Sequence, residues 1–320
     1  MNPEPDGKSG SVTIVSACDR NFIWGAFLLA ASVARHLPGN LLHVFQPDFT
    51  TEDSSLLEQF PNVRVSRLSD DNPRNVSNRK AEAILAVESE YIAWFDSDCM
   101  VIGDVGPMLV PSNGEFQIRL RKPRENEWVW RNHYASGEAR GGVPASVLEK
   151  WRGDVGQLHE PRLNTTCVAN AFVLHRCHLP FIRQWQEQIV KVLSPSDTGV
   201  VDRTNPAYFM IDESVLSSLL AFSETAPPIC DIMLNRYPMA HLAHFGANPK
   251  PWKRWRSGIW YCNSHVLELL DWVRSSGRKT PTIPWSFSRR NRFPAWLLAA
   301  GEGCLASARS AQGKLLRSIR

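Results

Sequence analysis

The 320-residue sequence lacks several features that would assign a protein to a class at once. No stretch approaches the roughly 20 apolar residues that a membrane-spanning helix needs. The first dozen residues have no apolar core of the kind found in signal peptides. The seven cysteines are scattered and form no C-x-x-C pair, so neither a zinc site nor a disulfide framework is indicated. We therefore expect a reduced, cytoplasmic protein.

The sequence has little net charge, +4, and its 43% hydrophobic and 21% charged residues are ordinary for a globular protein. The charge is unevenly placed, because 14 of the 36 Lys and Arg residues and half of the 12 Trp residues follow residue 249. A basic, aromatic region of this kind is compatible with nucleic acid or with an anionic membrane surface.

The amino-terminal part alternates between strand-like and helix-like segments, which is typical of a parallel, doubly wound α/β sheet. The predicted strands are 12–17, 41–46, 63–68, 90–95 and 166–175, and the predicted helices are 22–36, 52–60, 78–89, 179–193 and 214–222. No G-x-G-x-x-G motif follows the first strand, which disfavours a dinucleotide-binding dehydrogenase.

The chain is predicted to divide into three parts. Residues 1–11 read as a disordered leader, 12–265 as the main α/β domain and 266–320 as a basic, Trp-rich helical extension. Within the domain, 119–162 mixes charges, glycines and aromatics with little period, which predicts a long functional loop or lid. Its aromatic side chains are interpreted either as a surface on which a sugar ring could stack or as anchors of the loop to the core.

Two carboxylates, Asp96 and Asp98, follow the apolar strand at 90–95. Ligands of open α/β sheets collect at the carboxyl ends of the strands. Side chains two residues apart on an extended segment point the same way, and two such like charges need a neutralising partner. A hard dication such as Mg²⁺ or Mn²⁺ prefers oxygen ligands and keeps positions free for phosphate. The pair predicts a metal-bridged diphosphate site, with a simple polar turn as the alternative.

A second cluster of polar residues lies near the end of the predicted domain. It contains His244, a common type of metal ligand, Gly246, which lets a backbone approach a phosphate, and Lys250, a point charge for that phosphate. Asp212 and Glu213 begin a predicted helix, where acidic residues suit the positive helix end.

The order and separation of these motifs resemble the family 8 retaining glycosyltransferases, which include glycogenin and the bacterial lipopolysaccharide galactosyltransferases. The resemblance extends over about 12–255. The motifs that carry it are the opening strand ending near Asp19, the Arg79/Lys80 helix, Asp96-Ser97-Asp98, Asn170-Ala171 in a strand, the Asp212 helix start and His244-x-Gly246-x-x-x-Lys250.

The resemblance implies a GT-A type α/β/α sandwich with a mixed, mostly parallel central sheet. It also implies that Asp96, Asp98 and His244 chelate Mn²⁺ or Mg²⁺ on a nucleoside diphosphate sugar. The residues expected to contact the donor are Ala17, Asp19, Arg79, Lys80, Gly246 and Lys250. The residues expected around the transferred sugar, and so the catalytic candidates, are Asn170, Asp212 and Glu213. Glu213 departs from the Gln that the family commonly has.

The implied activity is metal-dependent, retaining transfer of a hexose, from UDP-glucose or UDP-galactose, to a saccharide or glycolipid acceptor. We expect Asp212 to position the donor sugar and not to act as a covalent nucleophile. The alternatives are a sugar-1-phosphate nucleotidyltransferase, whose Gly-rich loop is missing after the first strand, and a non-catalytic carbohydrate-binding protein of the same fold.

The carboxyl-terminal segment, 285–320, interleaves basic residues with aromatics and leucines. Such a segment suits peripheral contact with the anionic inner face of a membrane, which would explain access to a lipid-linked acceptor. The alternative is a solvated helix that packs on the domain. No nucleic-acid partner is expected.

Overall fold

In the computed structural model, the residues described are 11–111, 114–133, 140–194, 204–232, 241–246 and 248–304. Residues 1–10 of the predicted leader lie outside this part of the chain. The basic residues and leucines beyond residue 304 also lie outside it.

A seven-stranded sheet forms the centre of the molecule, in the order β3-β2-β1-β4-β7-β6-β8. The strands are β1 (Val12–Ala17), β2 (Leu41–Gln46), β3 (Val63–Arg67), β4 (Tyr91–Phe95), β5 (Cys99–Val101), β6 (Phe116–Leu120), β7 (Cys167–His175), β8 (Ile229–Asp231) and β9 (Leu242–His244). β7 runs antiparallel to both of its neighbours, whereas the other neighbouring pairs are parallel. β5 and β9 form a separate antiparallel pair. The predicted mixed, mostly parallel sheet is confirmed.

Helices cover both faces of this sheet. They are α1 (Ile23–His36), α2 (Thr51–Glu58), α3 (Lys80–Leu85), α4 (Pro123–His133), α5 (Ala145–Val155), α6 (Leu179–Val192), α7 (Asp212–Phe222), α8 (Asn263–Ser275) and α9 (292–304). Successive strand residues point to opposite faces, so Ile14 packs in the core beneath α1 and α8, while Val15 packs with α3, α6 and α7. The result is the predicted α/β/α sandwich.

Local sequence signals set several of the helix boundaries. Thr50 and Asp53 form a capping box at the start of α2, and Gly156, with a φ of 83°, ends α5 in the left-handed region. α3 is shorter than the predicted helix at 78–89. Asn75 accepts a hydrogen bond from the Ser77 backbone and caps a tighter 3₁₀ turn that occupies the first predicted positions.

The prediction of an irregular loop over 119–162 is wrong, because α4 and α5 occupy half of the segment. Trp130 and Trp151 are fully buried with ring centroids 6.3 Å apart, and the Trp151 indole donates to the Ala207 carbonyl at 2.8 Å. The few apolar positions are outnumbered by surface charges, which hides the helical period. Residues 134–139 lie outside the described residues, and an acceptor-binding role for this region stays a prediction.

The predicted boundary between 265 and 266 is also wrong, because it falls inside α8. Val266, Leu270 and Val273 of this helix are buried in the core that covers α1. Trp255 and Phe287 belong to the same core. Much of the tryptophan enrichment therefore reflects packing. Among the described residues, no helix combines the length and apolar character needed to cross a bilayer.

The aromatic residues of α4 and α5 give a direct test of the helical packing found in 119–162. Trp151→Ala should lower the free energy of unfolding by about 3–5 kcal/mol, because it removes a buried ring and leaves a cavity. Trp128 on α4 is 64% exposed, so Trp128→Ala should change it by less than about 0.5 kcal/mol. Urea unfolding of the two variants measures the difference. Equal losses would contradict the packing described.

Candidate functional site

A cleft of about 480 Å³ lies at the carboxyl ends of β1 and β4. Its lining includes Ala17, Asp19, Asn75, Ser77, Lys80, Trp94, Asp96, Asp98, Gly246, Lys250 and Trp252. Seven of the predicted site residues are among them. Ligand sites of open α/β sheets form at this edge because the strands direct their following loops there.

Two short elements bring Asp96, Asp98 and His244 together. Asp96 follows β4 directly, and Asp98 ends the turn before β5. β5 pairs with β9 so that Cys99 lies opposite His244, and the Phe245 backbone donates to the Asp98 carbonyl at 2.9 Å. One ligand atom from each of the three side chains lies within 4.8 Å of the others. The pairing of β5 with β9 thus places His244 beside two aspartates that are distant from it in the sequence.

Two buried lysines neutralise the acidic side chains of the site. Lys80 Nζ lies 2.9 Å from Asp96 Oδ1 and 3.1 Å from Asp212 Oδ2, and it donates to the Ala169 carbonyl at 3.0 Å. Lys250 Nζ lies 2.5 Å from Asp98 Oδ2. Each carboxylate that was predicted to bind metal therefore already has a cationic partner.

These contacts shift the protonation equilibria. Burial alone would raise the pKa of Asp98, but the hydrogen bond from His244 and the charges of His244 and Lys250 hold this pKa below its ordinary value. Burial would lower the pKa of Lys80, yet the charges of Asp212 and Asp96 raise it overall. Burial likewise opposes a charged His244, and the Asp98 hydrogen bond and charge outweigh it and raise the His244 pKa.

The donor atoms fit a divalent metal. Oδ1 of Asp96 accepts from Lys80 and, at 2.7 Å, from the Trp94 indole, whereas Oδ2 lies on the side of His244 Nε2, 4.0 Å away. Asp98 has the same division, with Oδ2 bound to Lys250 and Oδ1 3.3 Å from His244 Nε2. Two carboxylate oxygens and one imidazole nitrogen form a donor set suited to Mn²⁺ or Mg²⁺.

Two glycines permit close approaches at the site. A Cβ at Gly25 of α1 would lie 2.5 Å from the Ser97 carbonyl oxygen, so α1 packs directly against the turn that carries the aspartates. A Cβ at Gly246 would lie 2.5 Å from His244 Cε1. Gly246 therefore leaves room for the imidazole as well as lining the cleft. Gly25 was not predicted, because its sequence context is an ordinary helix.

Arg79 does not line the cleft. Its guanidinium donates to Glu82 at 2.6 Å and to the Ser69 carbonyl at 2.6 Å, and it borders a separate cavity of about 290 Å³. The neighbouring Lys80 reaches the cleft instead. A shift of one residue on a helical turn rotates a side chain by about 100°, so the sequence did not distinguish the two cations.

Glu213 and Asn170 are also outside the cleft lining. Glu213 forms an ion pair with Arg121 at 2.6 Å and accepts from the Ala169 backbone at 3.1 Å. Asn170 is buried, its carbonyl accepts from the Asp96 backbone at 2.8 Å, and its side-chain oxygen has no hydrogen-bond partner among the described residues. Both residues support the segment behind the carboxylates.

Asp212 contacts the cleft through Lys80. It begins α7, and the preceding Ile211 has a φ of 51°, which is unusual for a β-branched residue and marks a constrained backbone. Burial raises the pKa of Asp212 to about 6, against the lowering effect of the Lys80 charge. The Trp185 indole donates to the Asp212 carbonyl at 3.1 Å and fixes this helix start.

Comparisons with known proteins show a similarity of fold. Neither a scan of protein-family models nor a search of curated proteins gave a match. The structure is similar to the galactosyltransferase LgtC in complex with donor and acceptor sugar analogs, with a TM-score of 0.50 and 12% identity over 88% of this chain and 99% of that one. It is also similar to the apo form of the bifunctional glycosyltransferase WbbM, with a TM-score of 0.50 and 15% identity over 79% of this chain.

The chain spans 48% of the length of WbbM, about half of that protein. The predicted GT-A fold is confirmed by the likeness to these enzymes.

Asp212 should give the protein a pH-dependent contribution to stability. Because the folded pKa is raised from 3.8 to about 6, the folded protein holds this proton more tightly than the unfolded chain. The resulting stabilisation is present below the unfolded pKa and is lost as pH rises through the folded value. Relative to wild type, Asp212→Asn should gain up to about 3 kcal/mol in unfolding free energy between about pH 4 and about pH 7.

Urea unfolding of both proteins across this pH range provides the measurement. Parallel profiles for wild type and variant would show that Asp212 titrates alike in the folded and unfolded chain.

Proposed function

We propose that this chain is a metal-dependent, retaining glycosyltransferase that moves a hexose from a nucleoside diphosphate sugar to a saccharide or glycolipid acceptor. The observation that carries the proposal is the Asp96, Asp98 and His244 cluster at the carboxyl edge of a GT-A sheet. The fold neighbour LgtC is a galactosyltransferase, described with donor and acceptor sugar analogs. UDP-glucose and UDP-galactose are the donors we propose.

In this proposal Asp96, Asp98 and His244 hold Mn²⁺ or Mg²⁺ on the diphosphate. The bound metal supplies Lewis-acid stabilisation of the leaving diphosphate. Ala17 and Asp19, at the end of β1, line the cleft where the nucleoside would lie. Gly246 and Lys250 lie at the diphosphate end, where the Lys250 charge adds to the electrostatic stabilisation.

The position of the acidic groups supports transfer from the same face as the departing diphosphate. A covalent mechanism needs a carboxylate that is free to reach the anomeric carbon. Asp212 is paired with Lys80, and Glu213 is paired with Arg121. Asn170 is a neutral amide and lies behind Asp96. We propose that Asp212 positions the donor sugar through Lys80 and forms no covalent adduct.

Ligand-dependent stability tests the proposed site. UDP-glucose or UDP-galactose with Mn²⁺ should raise the apparent unfolding free energy by about 2.7 kcal/mol at a hundred times its dissociation constant. Asp98→Asn should lose this gain together with Mn²⁺-dependent release of UDP from the donor. Asp70→Asn is the matched control, because the Asp70 side chain is 74% exposed.

Thermal unfolding and UDP release are measured for both variants. Stabilisation that does not depend on Mn²⁺, or that survives in Asp98→Asn, would contradict the proposal. Binding of the donor without release or transfer would favour the non-catalytic carbohydrate-binding alternative.

We also propose that α9 contacts an anionic membrane, where a lipid-linked acceptor would be reached. Ala295 and Ala299 are buried against the domain. The large apolar side chains of the same helix are exposed, namely Phe293, Trp296, Leu297 and Leu298. Three exposed arginines precede or begin the helix, namely Arg289, Arg290 and Arg292. An apolar face flanked by cations suits the boundary between head groups and acyl chains.

Flotation with vesicles that contain phosphatidylglycerol tests this contact. The double variant Trp296→Ser, Leu297→Ser should be recovered at least tenfold less than wild type, because each buried side chain contributes about 1.5–3 kcal/mol. Leu158→Ser is the control, because Leu158 is 94% exposed in the loop that follows α5. High salt should also lower wild-type recovery. Equal recovery of wild type and double variant would overturn the proposal.

A further inference from the structure

The proposed metal site carries two cations of its own. Two lysines, Lys80 and Lys250, are in direct contact with three carboxylates of the site, the buried Asp98 and Asp212 and the partly buried Asp96. Most of the negative charge that would attract a dication is therefore balanced within the protein.

The lysines occupy the oxygens that point away from the proposed metal position. Lys80 binds Oδ1 of Asp96 and Lys250 binds Oδ2 of Asp98, whereas the other oxygen of each carboxylate lies on the side of His244. A metal held by these other oxygens would leave both ion pairs intact. Both ammonium groups would then stay close to the dication and repel it through a poorly solvated interior.

Other contacts keep the lysines in place. Lys80 also donates to the Ala169 carbonyl, and its ammonium lies 5.5 Å from the centre of the Trp94 ring. Lys250 donates to the Phe245 carbonyl at 2.9 Å and to the Gly246 carbonyl at 3.2 Å. Neither ammonium can leave without breaking several buried contacts, so a change of rotamer does not relieve the repulsion.

We propose, on the basis of the function proposed above, that Lys80 and Lys250 make metal binding conditional on the diphosphate. Free Mn²⁺ meets a site whose carboxylates are already balanced, so it binds weakly. A diphosphate brings at least two negative charges, which offset the lysines and the metal together. Each ligand therefore raises the affinity of the other by the same factor, as linkage requires.

Binding measurements on the full chain test this coupling. We expect wild type to bind Mn²⁺ weakly when alone, as measured from the loss of the free Mn²⁺ signal in electron paramagnetic resonance. UDP should tighten Mn²⁺ binding at least tenfold, and calorimetry should show the same gain for UDP when Mn²⁺ is present. The solution association of Mn²⁺ with UDP is included in both fits. Lys250→Met should bind Mn²⁺ alone at least tenfold more tightly and lose most of the coupling, whereas Lys250→Arg should behave as wild type.

Two results would overturn the inference while leaving the proposed function intact. One is tight Mn²⁺ binding by wild type without nucleotide, and the other is unchanged or weaker binding by Lys250→Met. If wild type binds no Mn²⁺ even when UDP is present, the proposed function itself is defeated. If Lys250→Met does not fold, wild type still decides the matter, because UDP must give a larger coupling factor than UMP, and equal factors would overturn the inference.

Discussion

The compensation of buried like charges is the constraint on which the rest of the structure depends. Asp98 and Asp212 are buried and Asp96 is partly buried, and unpaired charges are strongly destabilising at such positions. Lys80 on α3 and Lys250 after β9 supply the compensation. Because these residues come from different elements, the ion pairs also join α3, α7 and the segment after β9 to the turn that follows β4. The same ion pairs therefore stabilise both the site and the packing of the elements around it.

The sequence predicts those parts of the fold that have a local signature. The strands β1, β2, β4 and β7 are compact apolar runs, and each lies within a residue or two of its predicted range. Asp96 and Asp98 could be identified because a buried strand ends on them. His244 could be linked to them only through the order of motifs in the family, since the β5–β9 pairing that places it is long-range and leaves no local pattern.

The remaining differences arise where one residue type has two physical roles. Tryptophan serves the core at Trp151 and Trp255 but is exposed at Trp128 and Trp296, and composition alone does not separate these uses. The same holds for the adjacent cations Arg79 and Lys80, of which only the second faces the cleft. The sequence around Trp94, two residues before Asp96, predicts only a buried strand position for this side chain. Its indole is also a hydrogen-bond donor to that carboxylate.

The distance along the chain between the two halves of the site has a consequence for biosynthesis. Lys250 and Asp98 are 152 residues apart, and β9 pairs with β5 across a similar span. As a chain emerges from the ribosome, β1 to β5 and both aspartates appear long before His244 and Lys250 exist. Closing so long a loop is entropically unfavourable until the later elements have formed. The turn that carries Asp96 and Asp98 therefore acquires its full set of contacts late. An incomplete chain has neither the third proposed metal ligand, His244, nor the cation that is paired with Asp98, Lys250.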